Sequence, residues 1–115
     1  MSQTPVDLFR RGNAGSPRMD NVRLDKDIAV YEEDNTIWVR ETVGEEMKSG
    51  GISTFSQKGV GKNWWKIDAG TEIPQDLELV NDRGNHWLWK PVRTMPLQQY
   101  KKALQQISQS FYRVS

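Results

Sequence analysis

The chain of 115 residues carries one histidine, His86, and no cysteine. A lone imidazole cannot form a paired-histidine metal site, and without thiols there is no thiolate zinc site, cysteine nucleophile or disulfide frame, so no metal is expected. His86 follows a polar stretch, Asn81-Asp82-Arg83-Gly84-Asn85, and opens an apolar run. A side chain there stands at the mouth of a strand, within reach of a ligand; a satisfied structural histidine is the plainer alternative. Ser53, His86 and Asp82 make a Ser-His-Asp set on paper, although no nucleophile-elbow motif surrounds the serine. Gly59-Val60-Gly61-Lys62-Asn63 has glycines before a lysine but neither the spacing nor the following Ser or Thr of a phosphate loop, and reads as a turn. Arg10 closes the first alternating run; its fork suits a phosphate or carboxylate, and a solvated surface role suits it equally.

Tryptophan supplies five of the aromatic residues, against three Tyr and three Phe. Trp64 and Trp65 are adjacent, so on a strand one faces the core and the other a surface or pocket, where a flat ring stacks on a base or a nicotinamide. Trp64 is the member assigned here to ligand binding. Trp87 and Trp89 are two apart and share a face, which reads first as packing.

The elements that must hold these groups are mostly short strands. Residues 6–10 alternate apolar and polar, and 28–31 with 36–39 form a hairpin across Asp34-Asn35. Further strands are expected at 52–55, 64–67, 77–80 and 87–90, the last two joined across residues 81–85. Residues 41–48 read as one or two helical turns stopped by Ser49-Gly50-Gly51. Leu97, Tyr100, Leu104, Ile107 and Phe111 recur at helical spacing, which predicts one long C-terminal helix, with Pro96 in its first turn and Thr94 as cap. Strands followed by one helix give an α+β class: a split or strongly twisted antiparallel β core with a long C-terminal helix. Loops at 11–25 and 57–63 are long for the strands they join, as binding or catalytic loops often are.

The length fits one domain, 1–115, large enough to fold without staples. A formal net charge of +1 weighs against a dedicated nucleic-acid binder. No apolar run approaches the roughly 20 residues that cross a bilayer, and the first residues lack a secretory signal pattern, so a soluble chain is expected, with no membrane partner.

Taken in order, the motifs resemble those of small ADP-ribosyltransferase-like toxins used as bacterial type VI secretion effectors. Leu8-Phe9-Arg10 is similar to the family's first-strand Leu-Tyr-Arg, and Asp27-Ile28 leads on to Gly50-Gly51-Ile52-Ser53-Thr54-Phe55, similar to its Gly-Gly-Thr-Ser-Val-Phe. Gly70-Thr71-Glu72-Ile73-Pro74-Gln75-Asp76-Leu77 and Asp82 follow, and His86-Trp87, Pro91 and Met95 match its His-Tyr-x-x-x-Pro-x-x-x-Met. The resemblance implies the catalytic fold of diphtheria toxin and exotoxin A. It implies NAD as substrate, with Arg10 anchoring phosphate or ribose, Ser53 and Thr54 shaping the nicotinamide ribose site, Phe55 supporting their strand and His86 facing the cleft. It further implies action in the bacterial cytoplasm, delivery by a secretion system, and a cognate immunity protein, expected to be acidic, that masks the cleft. The sequence departs from many such enzymes in one respect: residues 87–90 hold no late-strand glutamate, and Asp68, Glu72, Asp76, Glu78 and Asp82 are the nearest acids.

Two other readings stay open at this level. His86 between Arg83 and Lys90, with tryptophans able to stack bases, fits a toxin directed at RNA or nucleotides. An aromatic cleft also fits a non-catalytic module that binds a protein.

Overall fold

A computed structural model describes residues 2–40 and 50–115; the helical turns expected at 41–48 lie outside them. Strands β1 (Leu8–Arg11), β4 (Ile52–Phe55), β5 (Trp64–Ile67), β6 (Leu77–Arg83), β7 (His86–Pro91) and β9 (Tyr112–Arg113) form a six-stranded antiparallel sheet in the order β6-β7-β4-β1-β5-β9. Strands β2 (Val30–Glu33), β3 (Thr36–Val39) and β8 (Met95–Pro96) form a second sheet, and helix α1 spans Leu97–Ser108. Among the described residues the fold is therefore mixed, mostly antiparallel sheet with one helix.

The large sheet is joined at its centre by little. β1 pairs with β5 at four positions and β4 with β7 at four, but β1 and β4 meet at one pair, Phe9 with Phe55. Beyond that pair the two halves part, and the residues expected to do chemistry stand on either side of the gap.

Alternation sorts the side chains of β4. Ile52 and Thr54 are buried while Ser53 and Phe55 are half-buried on the other face. Leu8, Ile67, Leu77 and Trp89 continue the buried face, and Val39, Met95, Tyr100, Leu104 and Ile107 close over it. Burying Trp89 and Tyr100 dictates their polar contacts: the Trp89 indole N–H donates to Thr54 Oγ1 at 3.1 Å, and the Tyr100 hydroxyl donates to the Trp89 carbonyl at 2.7 Å. The glycine before this strand is required. Gly51 has φ 149°, and a Cβ on it would lie 2.5 Å from the Trp89 carbonyl oxygen.

Turn chemistry behaves as its residues demand. Asp34 and Asn35, at φ 52° and 64°, make the two-residue link between β2 and β3. The β6-β7 hairpin turns over Gly84 and Asn85 alone, so both strands run longer than their apolar cores indicate. The expected long C-terminal helix is corrected: α1 has 12 residues, and the chain turns after Ser108 so that Tyr112 and Arg113 pair with β5. Phe111 is buried, but from the turn rather than the helix. Pro96 stands at the N-cap, where no side chain caps the helix.

Candidate active site

The half-buried face of the large sheet carries a continuous cross-strand row, Arg83, His86, Phe55, Phe9, Lys66 and Tyr112, one residue per strand. Cross-strand partners share a face, so this row brings the single imidazole against an aromatic wall. The Phe55 and His86 rings lie 5.4 Å apart at 52°, and Lys66 Nζ sits 5.8 Å from the Phe9 centroid. Ser53, two residues before Phe55, faces the same side and meets the imidazole: Ser53 Oγ and His86 Nε2 are 3.0 Å apart. On the far side of the ring, His86 Nδ1 lies 2.6 Å from Asp82 Oδ1. The His86 and Asp82 side chains are 14% and 22% exposed, so the contact is shielded yet open at one edge.

Asp82 reaches the ring because the hairpin is irregular. Asn81 pairs with Trp87 and Arg83 with His86, leaving Asp82 as an extra residue between two registered pairs. The Asn81 side-chain amide donates to the carbonyls of Gly84 at 3.0 Å and His86 at 2.9 Å, and fastens the bulge to its turn.

On the other side of Ser53, where β1 and β4 part, lies a cleft of about 210 Å³ lined by Arg10, Arg11, Arg18, Asn21, Arg23, Asp27, Ile52 and Ser53. Arg10 supports it from inside. Its Nε donates to the Pro17 carbonyl at 2.9 Å, one terminal nitrogen to the Ser53 carbonyl at 2.8 Å, and the other to the Arg18 carbonyl at 3.0 Å. Burial lowers the Arg10 pKa, and the Asp27 charge works in the opposite direction. Asp27 itself is engaged by Arg23 at 2.9 Å. Arg18, with φ 56°, is exposed, and among the described residues its guanidinium makes no hydrogen bond or ion pair.

Of the residues singled out from sequence, Ser53, His86 and Phe55 come together, and Arg10 touches the same strand through its backbone. Two expectations need correction. Thr54 is fully buried on the opposite face, its hydroxyl donating to the Trp87 carbonyl and accepting from Trp89, because neighbours on a strand point opposite ways. Trp64 is 7% exposed beneath the 57–63 loop, its ring within 2.7 Å of where a Gly59 Cβ would stand and its N–H donating to the Val60 carbonyl. It is a packing residue; Trp65 is the half-buried member of the pair, and its N–H donates to the Asn13 carbonyl. Arg18 was not singled out as a site residue, since nothing in a loop arginine's neighbours marks it. Among the described residues no group of His, Asp and Glu is placed to hold a metal ion, and no helix is long and apolar enough to cross a membrane. A concavity of about 920 Å³ between Gln3, Glu72, Pro74, Leu79 and Gln106 lies away from all of these groups.

The family model described as Tse2 ADP-ribosyltransferase toxin matches residues 3–114, nearly the whole chain, and the protein belongs to that family of ADP-ribosyltransferase toxins. No curated protein and no solved structure matches the chain.

Proposed function

We propose that the protein is a bacterial toxin that uses NAD as substrate in the cytoplasm, breaking the bond between nicotinamide and ribose and passing ADP-ribose to an acceptor. The observation that carries this reading, beside the family, is the 3.0 Å contact between Ser53 Oγ and His86 Nε2 at the edge of an arginine-lined cleft. The chemistry needs a grip on the ribose, an anion site for the diphosphate and a group to receive a proton. Ser53 is suited to a ribose hydroxyl, and Arg18, with Arg11 beside it, to the diphosphate. As the C1′–N bond breaks, nicotinamide departs neutral and C1′ becomes oxocarbenium-like; the acceptor bonds to C1′ and its proton passes to His86 Nε2. Phe55 gives the imidazole an apolar wall and a fixed tilt. Arg10 acts from behind, holding the Ser53 backbone.

The experiment is nicotinamide release by purified protein, paired with growth on cytoplasmic expression. Ser53→Ala and His86→Ala at equal abundance are expected to lower both release and toxicity, His86→Ala by about 100-fold, the usual worth of general acid-base catalysis. Breakage of total RNA without nicotinamide release, or equal toxicity of all three proteins, overturns the reading.

The same reading includes a cognate immunity protein, in a system that delivers the toxin to other cells. An acidic partner seated over Ser53 and His86 would meet the exposed cations Arg11, Arg18, Lys58 and Lys62 on the flanking loops, which supply steering as well as donors. Hydrogen exchange of free and bound toxin is expected to show protection at residues 52–55 and 86–88. Protection confined to the outer face of α1 would mean inhibition from a distance.

A further inference from the structure

We infer that Asp82 is a positioning residue for His86: delivered by the β6 bulge, it fixes the proton on Nδ1 and so turns Nε2 into an acceptor toward Ser53 and the substrate side. The inference rests on the proposed reaction for its kinetic consequence, but the proton's location is a property of the resting protein.

The argument starts from donor and acceptor inventories. An ionised carboxylate only accepts, so the 2.6 Å contact between Asp82 Oδ1 and His86 Nδ1 requires a proton on Nδ1. In a neutral ring the other nitrogen then carries a lone pair, which meets the Ser53 hydroxyl at 3.0 Å with Ser53 donating. Histidine left alone chooses between two tautomers; here a charged neighbour makes the choice. Geometry argues that the neighbour is placed rather than incidental. A regular β6-β7 ladder has no room for a residue between the Asn81–Trp87 and Arg83–His86 pairs, and the bulge that admits Asp82 aims its side chain at the ring. Asn81 then spends its amide on two carbonyls of the hairpin, Gly84 and His86, which keeps the bulge from relaxing into a longer loop.

The arrangement also answers the missing late-strand glutamate. Asp82 reaches the reacting centre through His86 rather than touching the ribose itself. An imidazole held this way takes a proton at Nε2 while the nearby carboxylate stabilises the imidazolium that results, as in nucleophilic triads on unrelated folds. The proton from the acceptor stops at His86 Nε2 and is not relayed on to Asp82.

Because His86 is the only histidine, the ring nitrogens of ¹⁵N-labelled protein give two signals without assignment problems. In the neutral ring the wild-type protein is expected to carry its proton on Nδ1. Asp82→Asn and Asp82→Ala should move the ring toward the Nε2–H form, and Asp82→Glu should restore Nδ1–H at least in part. Ser53→Ala should leave the tautomer where it is. In nicotinamide release, Asp82→Asn should lower kcat by about 100-fold with KM nearly constant, the pattern of a lost transition-state interaction. A wild-type ring protonated on Nε2 overturns the inference, and so does a ring unchanged in folded Asp82→Asn. If the Asp82 variants fail to fold, the wild-type spectrum alone still decides. Absence of nicotinamide release from the wild type would instead remove the proposed reaction and leave the tautomer result standing.

Discussion

Arg10 donates to the main-chain oxygen of Ser53 at 2.8 Å, across the point where β1 and β4 stop pairing. The same guanidinium holds the carbonyls of Pro17 and Arg18, so one side chain ties the first loop and the first strand to the strand that carries the site. A carbonyl at a split has no ladder partner, and a fixed fork of donors replaces the missing hydrogen bonds.

Arg10→Ala is therefore expected to act first on stability. Three carbonyls lose their donor, and urea unfolding should show a loss of about 2–4 kcal/mol. Arg10→Lys should recover little of it, because one ammonium cannot span three acceptors. An Arg10→Ala protein that unfolds at the wild-type midpoint but needs far more NAD would make Arg10 a ligand contact instead.

Thr54 yields the opposite forecast from its neighbour Ser53. Thr54→Val leaves the buried Trp89 N–H without an acceptor, which should cost about 1–3 kcal/mol in chemical unfolding. Nicotinamide release per folded molecule should stay within about twofold of wild type, since the hydroxyl belongs to the core. Loss of release from a fully folded Thr54→Val protein would return Thr54 to the cleft.

Sequence made some of this legible and concealed the rest for definable reasons. The strands at Ile52–Phe55 and Trp64–Ile67 stand where bulky and β-branched residues announce them, and Asp34-Asn35 declares its turn. β8 and β9 have two residues each, too short for any period to register, and pairing of Tyr112 with Lys66 ends the helix earlier than its apolar spacing does. Residue type sets Ser53 and His86 side by side on paper and the motif order adds Thr54, but a motif does not state which face a strand turns inward, and Thr54 turns to the core. Asp82, four residues before His86, belongs to the Ser-His-Asp set by residue type alone, which gives no reason for it to reach the ring. Only the bulge brings it to the ring, and a bulge is a feature of pairing, not of composition.

Tyr100 supplies a pH dependence. Burial pushes its phenol well above the ordinary value of 10.0, so the folded protein holds the proton after the unfolded chain has released it. Stability contributed by this group is complete below about pH 10 and falls as pH rises beyond it, by up to about 1.4 kcal/mol per pH unit for one proton. Tyr100→Phe should be less stable than wild type at neutral pH, having lost the 2.7 Å bond to the Trp89 carbonyl, and the gap between the two should narrow in alkaline solution. Tyr112, raised by its hydrogen bond to Asp68, and Lys66, raised by its bond to Asp7, titrate alike in both proteins and cancel in the comparison. A gap that stays constant through pH 10–11, measured by urea unfolding at each pH, would contradict the burial argument.

Arg18 should behave unlike Arg10 although their side chains line the same cleft. Arg10 is spent on backbone carbonyls, whereas the exposed Arg18 guanidinium has no hydrogen bond or ion pair among the described residues. Its backbone, at φ 56°, already accepts a donation from Arg10, so the turn does not depend on what the Arg18 side chain does. Arg18→Ala retains that turn and is expected to melt within a degree or two of wild type. If the cleft takes the diphosphate, losing one charge-assisted contact should raise KM for NAD by about tenfold or more, since a hydrogen bond to a charged group contributes about 1.5–3 kcal/mol. Arg18→Glu should raise it further, and the excess over alanine should shrink at high salt as the added repulsion is screened. An unchanged KM in both variants would take the diphosphate off Arg18, leaving Arg11 on the same cleft and the 57–63 loop as the next places to test.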